Sequence, residues 1–374
     1  MKGLSFIIPN ILIVLFLPGI HHVDVPAPSF FNKPKTQCDD SISESLTKQK
    51  ITELEDRFKQ TRLETEKLCY RAIITKGLYL PMKWRRAGQA GGKVGGSVLI
   101  AGGTEWNKAK TQKYWLNTSV VFQDGKWKLG PNLPEPIAYS MFAYDSDGLY
   151  IAGGYISETS PSNGVYRLVS LSKGWEPLPK LPMRLGYGSG AILNRKFYVA
   201  CGSNESGMSN KVWVLDLGNP NSKWEQCKPL PGVGRILPSM VACGKYLYLL
   251  GGLAKISPLS PLKDAYQYDP SKNQWKQLSD LPLKGYAWVS QPVDDNHLII
   301  TGRAYGKVDR GVWILNLKTM SMKKVGDDIV PAATAPLINV GNKQWWLIGG
   351  EPDSYKNRTN VVSVINIKEN SNCN

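Results

Sequence analysis

A glycine doublet that returns about every 50 residues constrains this chain more than any other feature. It falls at Gly102-Gly103, Gly153-Gly154, Cys201-Gly202, Gly251-Gly252, Thr301-Gly302 and Gly349-Gly350, with first positions 51, 48, 50, 50 and 48 residues apart. Trp127, Trp175, Trp224 and Trp275 lie 26 or 27 residues ahead of their doublets, and Met322 takes that place before Gly349. The clearest copy runs from Trp224 to Gly252, WEQCKPLPGVGRILPSMVACGKYLYLLGG. It reads as a Trp on a short strand, a Leu-Pro turn, an apolar strand, a Gly-Lys turn and a β-rich strand. Strand runs bounded by Gly and Pro, with no helical period between them, are the grammar of hairpins.

A repeat of this length with four short strands, a Gly-Gly doublet and a signature Trp resembles the kelch motif of β-propellers. The resemblance covers roughly residues 80 to 367, and the flanking strands keep their spacing where the doublet drifts to Cys-Gly and Thr-Gly. The expected fold is all-β, a six-bladed kelch β-propeller over residues 78–370. An N-terminal strand closes the last blade, and an α-helical segment precedes the propeller. Val361–Ile367 ends the repeat region without a Trp, and Trp84 has no blade of its own. A strand containing Trp84 is therefore expected to pair with Val361–Ile367, which removes two sheet edges. The stretch AGQAGGKVGG before the first doublet lacks β-branched residues, apart from one Val, and predicts a short or irregular inner strand.

The N-terminal 80 residues differ in texture. Residues 1–20 hold Lys2 and the apolar run Phe6–Leu17, interrupted by Pro9 and followed by Pro18-Gly19. That run is too short for a stable membrane span and reads as a secretory signal, with an uncleaved anchor as the alternative. Residues 21–38 form a linker. Residues 39–77 carry a capping box at Ser41 and Glu44 and a rough helical stripe through Ile42, Leu46, Ile51, Leu54, Phe58 and Leu68. A helix packed outside the propeller and a partner-binding coiled coil both fit this stripe. The expected localisation is exported, periplasmic or secreted, and a compartment of that kind permits disulfides among the six Cys residues. Cys38 and Cys69 would lie about 45 Å apart on one continuous helix and could not pair with each other. The sequons at Asn117, Asn204 and Asn357 matter only in a host that glycosylates exported chains.

Net charge is +16, which invites an anionic partner. Lys and Arg are scattered through every blade, so a solvated basic surface is the plainer reading, and nucleic acid is not an expected partner. The histidines are His21, His22 and His297 alone. A His triad, a His-rich zinc site or a copper site lacks its ligands, so neither metal nor cofactor is expected. Acid–base chemistry would fall to carboxylates, Tyr or Lys.

In a propeller the loops after each Leu-Pro and after each doublet line one mouth. The first set offers Tyr139, Arg184, Tyr187, Arg235 and Tyr286, and the second Glu105, Trp106, Tyr155, Glu205, Arg303, Tyr305, Glu351 and Arg358. Carboxylates, guanidinium groups and aromatic faces suit a sugar or a carboxylated ligand. Any one of them alone is more often structural, as when an Arg bonds backbone carbonyls between blades. The segment QWWLIGGEPDSYKNRTNVVSVINIKEN is similar to the kelch-fold N-acetylneuraminate epimerases (sialate mutarotases), which include cyclically permuted members. Those carry Gly-Glu after a blade's second strand and Arg-Thr a few residues on. Here Glu351 follows the doublet and Arg358-Thr359 follows seven residues later, in the last blade rather than an internal one. The resemblance implies that Glu351 is the base and Arg358 a binder of the ligand's carboxylate.

Two functions follow as expectations. One is an isomerase that interconverts the anomers of a small sugar. The other is a non-catalytic propeller that binds an anionic glycan or a protein partner, and fold alone does not choose between them. An intracellular kelch adaptor is disfavoured by the short N-terminal region and its export signal.

Overall fold

A computed structural model describes residues 70–255 and 259–369. Six of their β-sheets are arranged as blades, and three two-stranded sheets stand beside them. The first four blades run Ala90–Val94 to Lys126–Leu129, Met141–Asp145 to Glu176–Pro177, Ser189–Leu193 to Glu225–Cys227, and Ser239–Cys243 to Gln274–Gln277. The fifth runs Val289–Pro292 to Met322–Gly326. The sixth combines Leu337–Gly341, Gln344–Ile348 and Val361–Glu369 with the strand Tyr70–Tyr79. The all-β six-bladed propeller closed by an N-terminal strand is thus the observed fold.

The closing strand is a different one from that expected. Trp84 lies in a 3₁₀ turn, Met82–Trp84, and Tyr70–Tyr79 pairs antiparallel with Val361–Glu369 instead, from Tyr70 opposite Glu369 to Tyr79 opposite Val361. This also corrects the C-terminal end of the helix expected over 39–77, because residues 70–77 are strand. The signal, the linker and residues 39–69 lie outside the described residues. The physical reason is chiefly the long-range partner, with a local contribution. Ile73, Ile74 and Thr75 are β-branched and fit a pleated surface, and the edge of Val361–Glu369 would otherwise stay unpaired.

Each strand next to the inner one is buried on both faces, which is why it reads as a continuous apolar run. In Ser97–Ala101, Val98 and Ile100 pack towards the sixth blade with Ile338, Ile348 and Val362. Leu99 and Ala101 pack towards the second blade with Leu149 and Ile151. The two-residue period of the strand sends alternate side chains to the two interfaces. The first inner strand, Ala90–Val94, is regular and largely buried, contrary to expectation. Its glycines answer to packing: a Cβ on Gly91 would stand 2.7 Å from Pro336, and one on Gly92 would stand 2.6 Å from Tyr144.

The repeat signature joins neighbouring blades. The second doublet residue donates its N–H to a carbonyl of the next blade's entry loop, Gly103 to Ile137, Gly154 to Leu185, Gly202 to Arg235, and Gly252 to Gly285. Gly350 donates to Arg86 (2.8 Å) and so closes the ring from the sixth blade to the first. A Cβ on Gly154 would lie 2.8 Å from the Ala138 carbonyl, and its φ of +103° is one that L side chains rarely adopt. The signature indoles do similar work. Trp175 Nε1 donates to Pro131 O, Trp224 to Pro179 O, and Trp275 to Lys228 O, each in the preceding blade.

Candidate active site

The loops after the Leu-Pro turns and those after the doublets meet at one end of the channel. Backbone bridges join Ala87 to Thr104, Ala138 to Tyr155, Gly186 to Ser203, Tyr286 to Ala304 and Ala333 to Glu351. In the fourth blade Ile236 pairs with Leu253. One residue past each entry loop the backbone turns left-handed, at Gly88, Tyr139, Tyr187, Leu237, Ala287 and Thr334. These six positions ring the mouth through N–H bonds from Gly88 to Thr334 O, Tyr139 to Gly88 O, Tyr187 to Tyr139 O, Leu237 to Tyr187 O, and Ala287 to Leu237 O. Below them the inner strands enclose a cavity of about 120 Å³, with Ser140, Ser189, Ser239 and Ser290 in its wall.

Glu351 and Arg358 come together at the seam between the sixth and first blades. Arg358 Nη2 lies 3.1 Å from Glu351 Oε1. The two residues are 2% and 8% exposed. The Tyr139 hydroxyl donates to the same carboxylate oxygen at 3.3 Å and lies 3.4 Å from Thr104 Oγ1. The second carboxylate oxygen, Glu351 Oε2, is buried without a hydrogen-bond partner. Arg358 is further held by Thr104, through Nε to the carbonyl and Nη2 to the hydroxyl, and by its Nη1 bond to Asn357 O.

Tyrosines cover this pair. Tyr187 stacks on Tyr139 with ring centroids 4.6 Å apart and tilts against Tyr155 at 5.0 Å. Burial drives the Tyr187 phenol well above the usual range, and Tyr139, Tyr155 and the Glu351 carboxylate add to the shift. Tyr286 is raised by burial first and by Glu351 second. Glu351 thus bonds the Tyr139 phenol, and its charge is felt at Tyr187 and Tyr286. Beside the pair the mouth is apolar, with Ile236, Leu237, Leu253, Ala304 and Val308 packed around Tyr286.

The other expected residues stand elsewhere. Arg235 is fully buried and forms two bonds with Asp264, of 2.6 and 2.8 Å, and one with the Gly251 carbonyl. That is the structural role of an arginine within a blade. Arg86 has the equivalent place in the first blade, bonding the Gly102 and Thr118 carbonyls, and reading the sequence missed it. Arg303 is fixed by Asp309 and the Lys284 carbonyl. Tyr305 is 51% exposed on the hairpin that follows. Arg184 is exposed, and its carbonyl accepts a bond from Asn204. Glu105 pairs with Arg85 through Oε1, at 3.0 Å. Among the described residues no group of His, Cys, Asp and Glu is placed to hold a metal ion, and no helix is long and apolar enough to cross a membrane.

Thr104 went unnoticed in the sequence because a Thr after a doublet carries no pattern of its own. The left-handed ring was equally hidden. Its members recur at 47 to 51 residues, but as Gly, Tyr, Tyr, Leu, Ala and Thr they share no side-chain chemistry.

Fold and site together define a six-bladed propeller with a buried carboxylate–guanidinium pair under a tyrosine cover at the channel mouth. Residues 88–291 match the family described as the KLHDC2/KLHL20/DRC7 Kelch-repeats domain. The chain belongs to this kelch-repeat family. It is similar to an N-acetylneuraminate epimerase of Haemophilus influenzae, 28% identical over 179 residues, or 47% of each chain. It is 36% identical over 115 residues to an N-acetylneuraminate epimerase of Yersinia enterocolitica, covering 29% of this chain and 28% of that one. Alpha-scruin of Limulus polyphemus is 26% identical over 209 residues, 53% of this chain and 22% of the relative. The chain spans less than half the length of each of these curated relatives.

Proposed function

We propose that the protein is a sialate-type sugar epimerase that interconverts anomers at the mouth of its propeller, with Glu351 as the base. One observation carries the reading. Glu351 Oε1 is held by Arg358 and Tyr139, while Oε2 is buried and has no partner. A buried acceptor without a donor costs about 1–3 kcal/mol or more for a charged group, so it needs a reason. A sugar hydroxyl would satisfy it. Anomer exchange needs the anomeric hydroxyl to lose its proton while the ring oxygen gains one. The ring C–O bond then breaks to an open-chain carbonyl, the bond beside the carbonyl rotates, and the ring recloses. Oε2 takes the first proton, and a tyrosine hydroxyl of the cover gives one to the ring oxygen. A sugar reaching Oε2 must displace the tyrosine cover. The epimerase-named relatives support the same reaction class.

The test is anomer exchange followed by NMR on a panel of neutral and acidic sugars. Glu351→Gln keeps the shape and removes the basicity, and exchange should slow by about a hundredfold or more. Wild-type protein that leaves every sugar at the buffer rate overturns the reading. The second reading is a non-catalytic propeller that binds a glycan or a protein. The complete cover over Glu351 favours it. Export belongs to the proposal as well, on the strength of Lys2 and the apolar run that follows. N-terminal sequencing of the mature protein should begin between about residues 19 and 28.

A further inference from the structure

If the proposed epimerase substrate is acidic, its carboxylate calls for a cation, and most of the donors of Arg358 are already engaged. Its Nε, Nη1 and Nη2 atoms all donate within the protein. Arg303 and Arg235 are likewise committed to Asp309 and Asp264. Two lysines at the same seam are placed differently. The hairpin Thr104–Trp106 with Lys113–Trp115 sets Trp115 opposite Thr104 and Trp106 opposite Lys113. Lys113 Nζ lies 4.8 Å from the Trp115 ring centroid, 5.1 Å from Tyr139 and 5.9 Å from Trp106. From the sixth blade, Lys356 Nζ lies 4.4 Å from the Trp106 ring and 3.3 Å from the Lys110 carbonyl. Both lysines are partly buried, and neither forms a salt bridge among the described residues.

A ring face holds an ammonium group in place without neutralising it, so each lysine keeps its full charge for a ligand. The distance to the proposed base is one side chain. Lys113 sits on the Tyr139 ring whose hydroxyl bonds Glu351. We infer that Lys113 and Lys356, seated on Trp106, Trp115 and Tyr139, form the subsite that takes the carboxylate of an acidic sugar. This rests on the epimerase-like reading for its choice of ligand. The ammonium pair would give the site its preference for acids over neutral sugars.

The experiment measures binding apart from catalysis, by tryptophan fluorescence and calorimetry on the full chain. The probes are N-acetylneuraminate and the matched pair glucuronate and glucose, which differ by a carboxylate. Wild type should bind the acids more tightly, and added salt should weaken that preference. Lys113→Met and Lys356→Met keep the apolar stems and remove the charges. Together they should weaken binding of the acids by roughly tenfold or more and leave glucose unchanged, as loss of a charge-assisted pair requires. Melting temperatures near wild type confirm that both variants fold. Acid binding unchanged in the double variant overturns the inference, as does a wild type that binds acid and neutral sugars alike or binds none of them. An acid preference that the lysine changes erase, in a protein that leaves anomers at the buffer rate, upholds the subsite and removes the epimerase.

Discussion

At the scale of residues, the buried pair is a burden that each partner relieves in the other. Removing one member leaves an uncompensated charge, a loss typically of about 3–5 kcal/mol. Arg358→Ala should therefore lower the melting temperature sharply, and adding Glu351→Gln should recover much of the loss. A double-mutant cycle by thermal unfolding checks this, and additive losses would show that the two side chains do not interact. The phenols set a second expectation. Burial pushes Tyr144, Tyr150, Tyr166 and Tyr198 up to about 12, against about 10 for the unfolded chain. Between those values the folded state binds more protons than the unfolded one, so stability falls as pH rises. Their contribution is fully present below about pH 10 and is lost as pH climbs towards 12. Denaturant midpoints from pH 8 to 11.5 should drop above pH 10, and a flat profile would refute the shifts.

At the scale of elements, the closing strand decides whether the ring holds. Tyr70–Tyr79 covers the edge of Val361–Glu369, and its end is tied to the fifth blade where the Tyr70 hydroxyl donates to Asp294 at 2.7 Å. Lys76 reaches Asp328 at 2.7 Å. A chain starting at Leu80 should expose that edge and aggregate, whereas one starting at Tyr70 should stay monomeric. Size-exclusion chromatography distinguishes them, and a monomeric, cooperatively melting chain from Leu80 would show that closure lies elsewhere. The misplacement of this strand has a plain cause. Tyr70–Tyr79 continues a charged, helix-like segment in the sequence, and only its long-range partner makes strand the better conformation there. Trp84 has no blade of its own in the repeat pattern, but its ring packs at the interface of the sixth and first blades.

At the scale of the whole molecule, six interfaces of similar make are closed into one ring, and the three described thiols lie inside them. Cys201, Cys227 and Cys243 are free and buried. Burial pushes the Cys201 thiol up to about 12 and Cys243 to about 11, and raises Cys227 as well. Thiolate is the reactive form, so all three should resist alkylation at pH 8 until the ring opens. They should then react together across a denaturant series read by peptide mass spectrometry. Labelling of any one at a lower denaturant concentration than the others would mean that the blades open separately. The number of blades, the order of strands within them and the meeting of the two loop sets at one mouth were determined by the sequence itself. Glycine doublets, Leu-Pro turns and apolar strand runs are local demands, repeated along the chain at nearly constant spacing. The pairing of Glu351 with Arg358 was half legible, because both fall on one loop. What only the tertiary structure decided lies between blades. It set the partners of the buried arginines, the unpartnered Oε2, the tyrosine cover from other blades and the two lysines on Trp106. Those contacts join residues up to 254 positions apart, and no local pattern records a distance that exists only once the ring has closed.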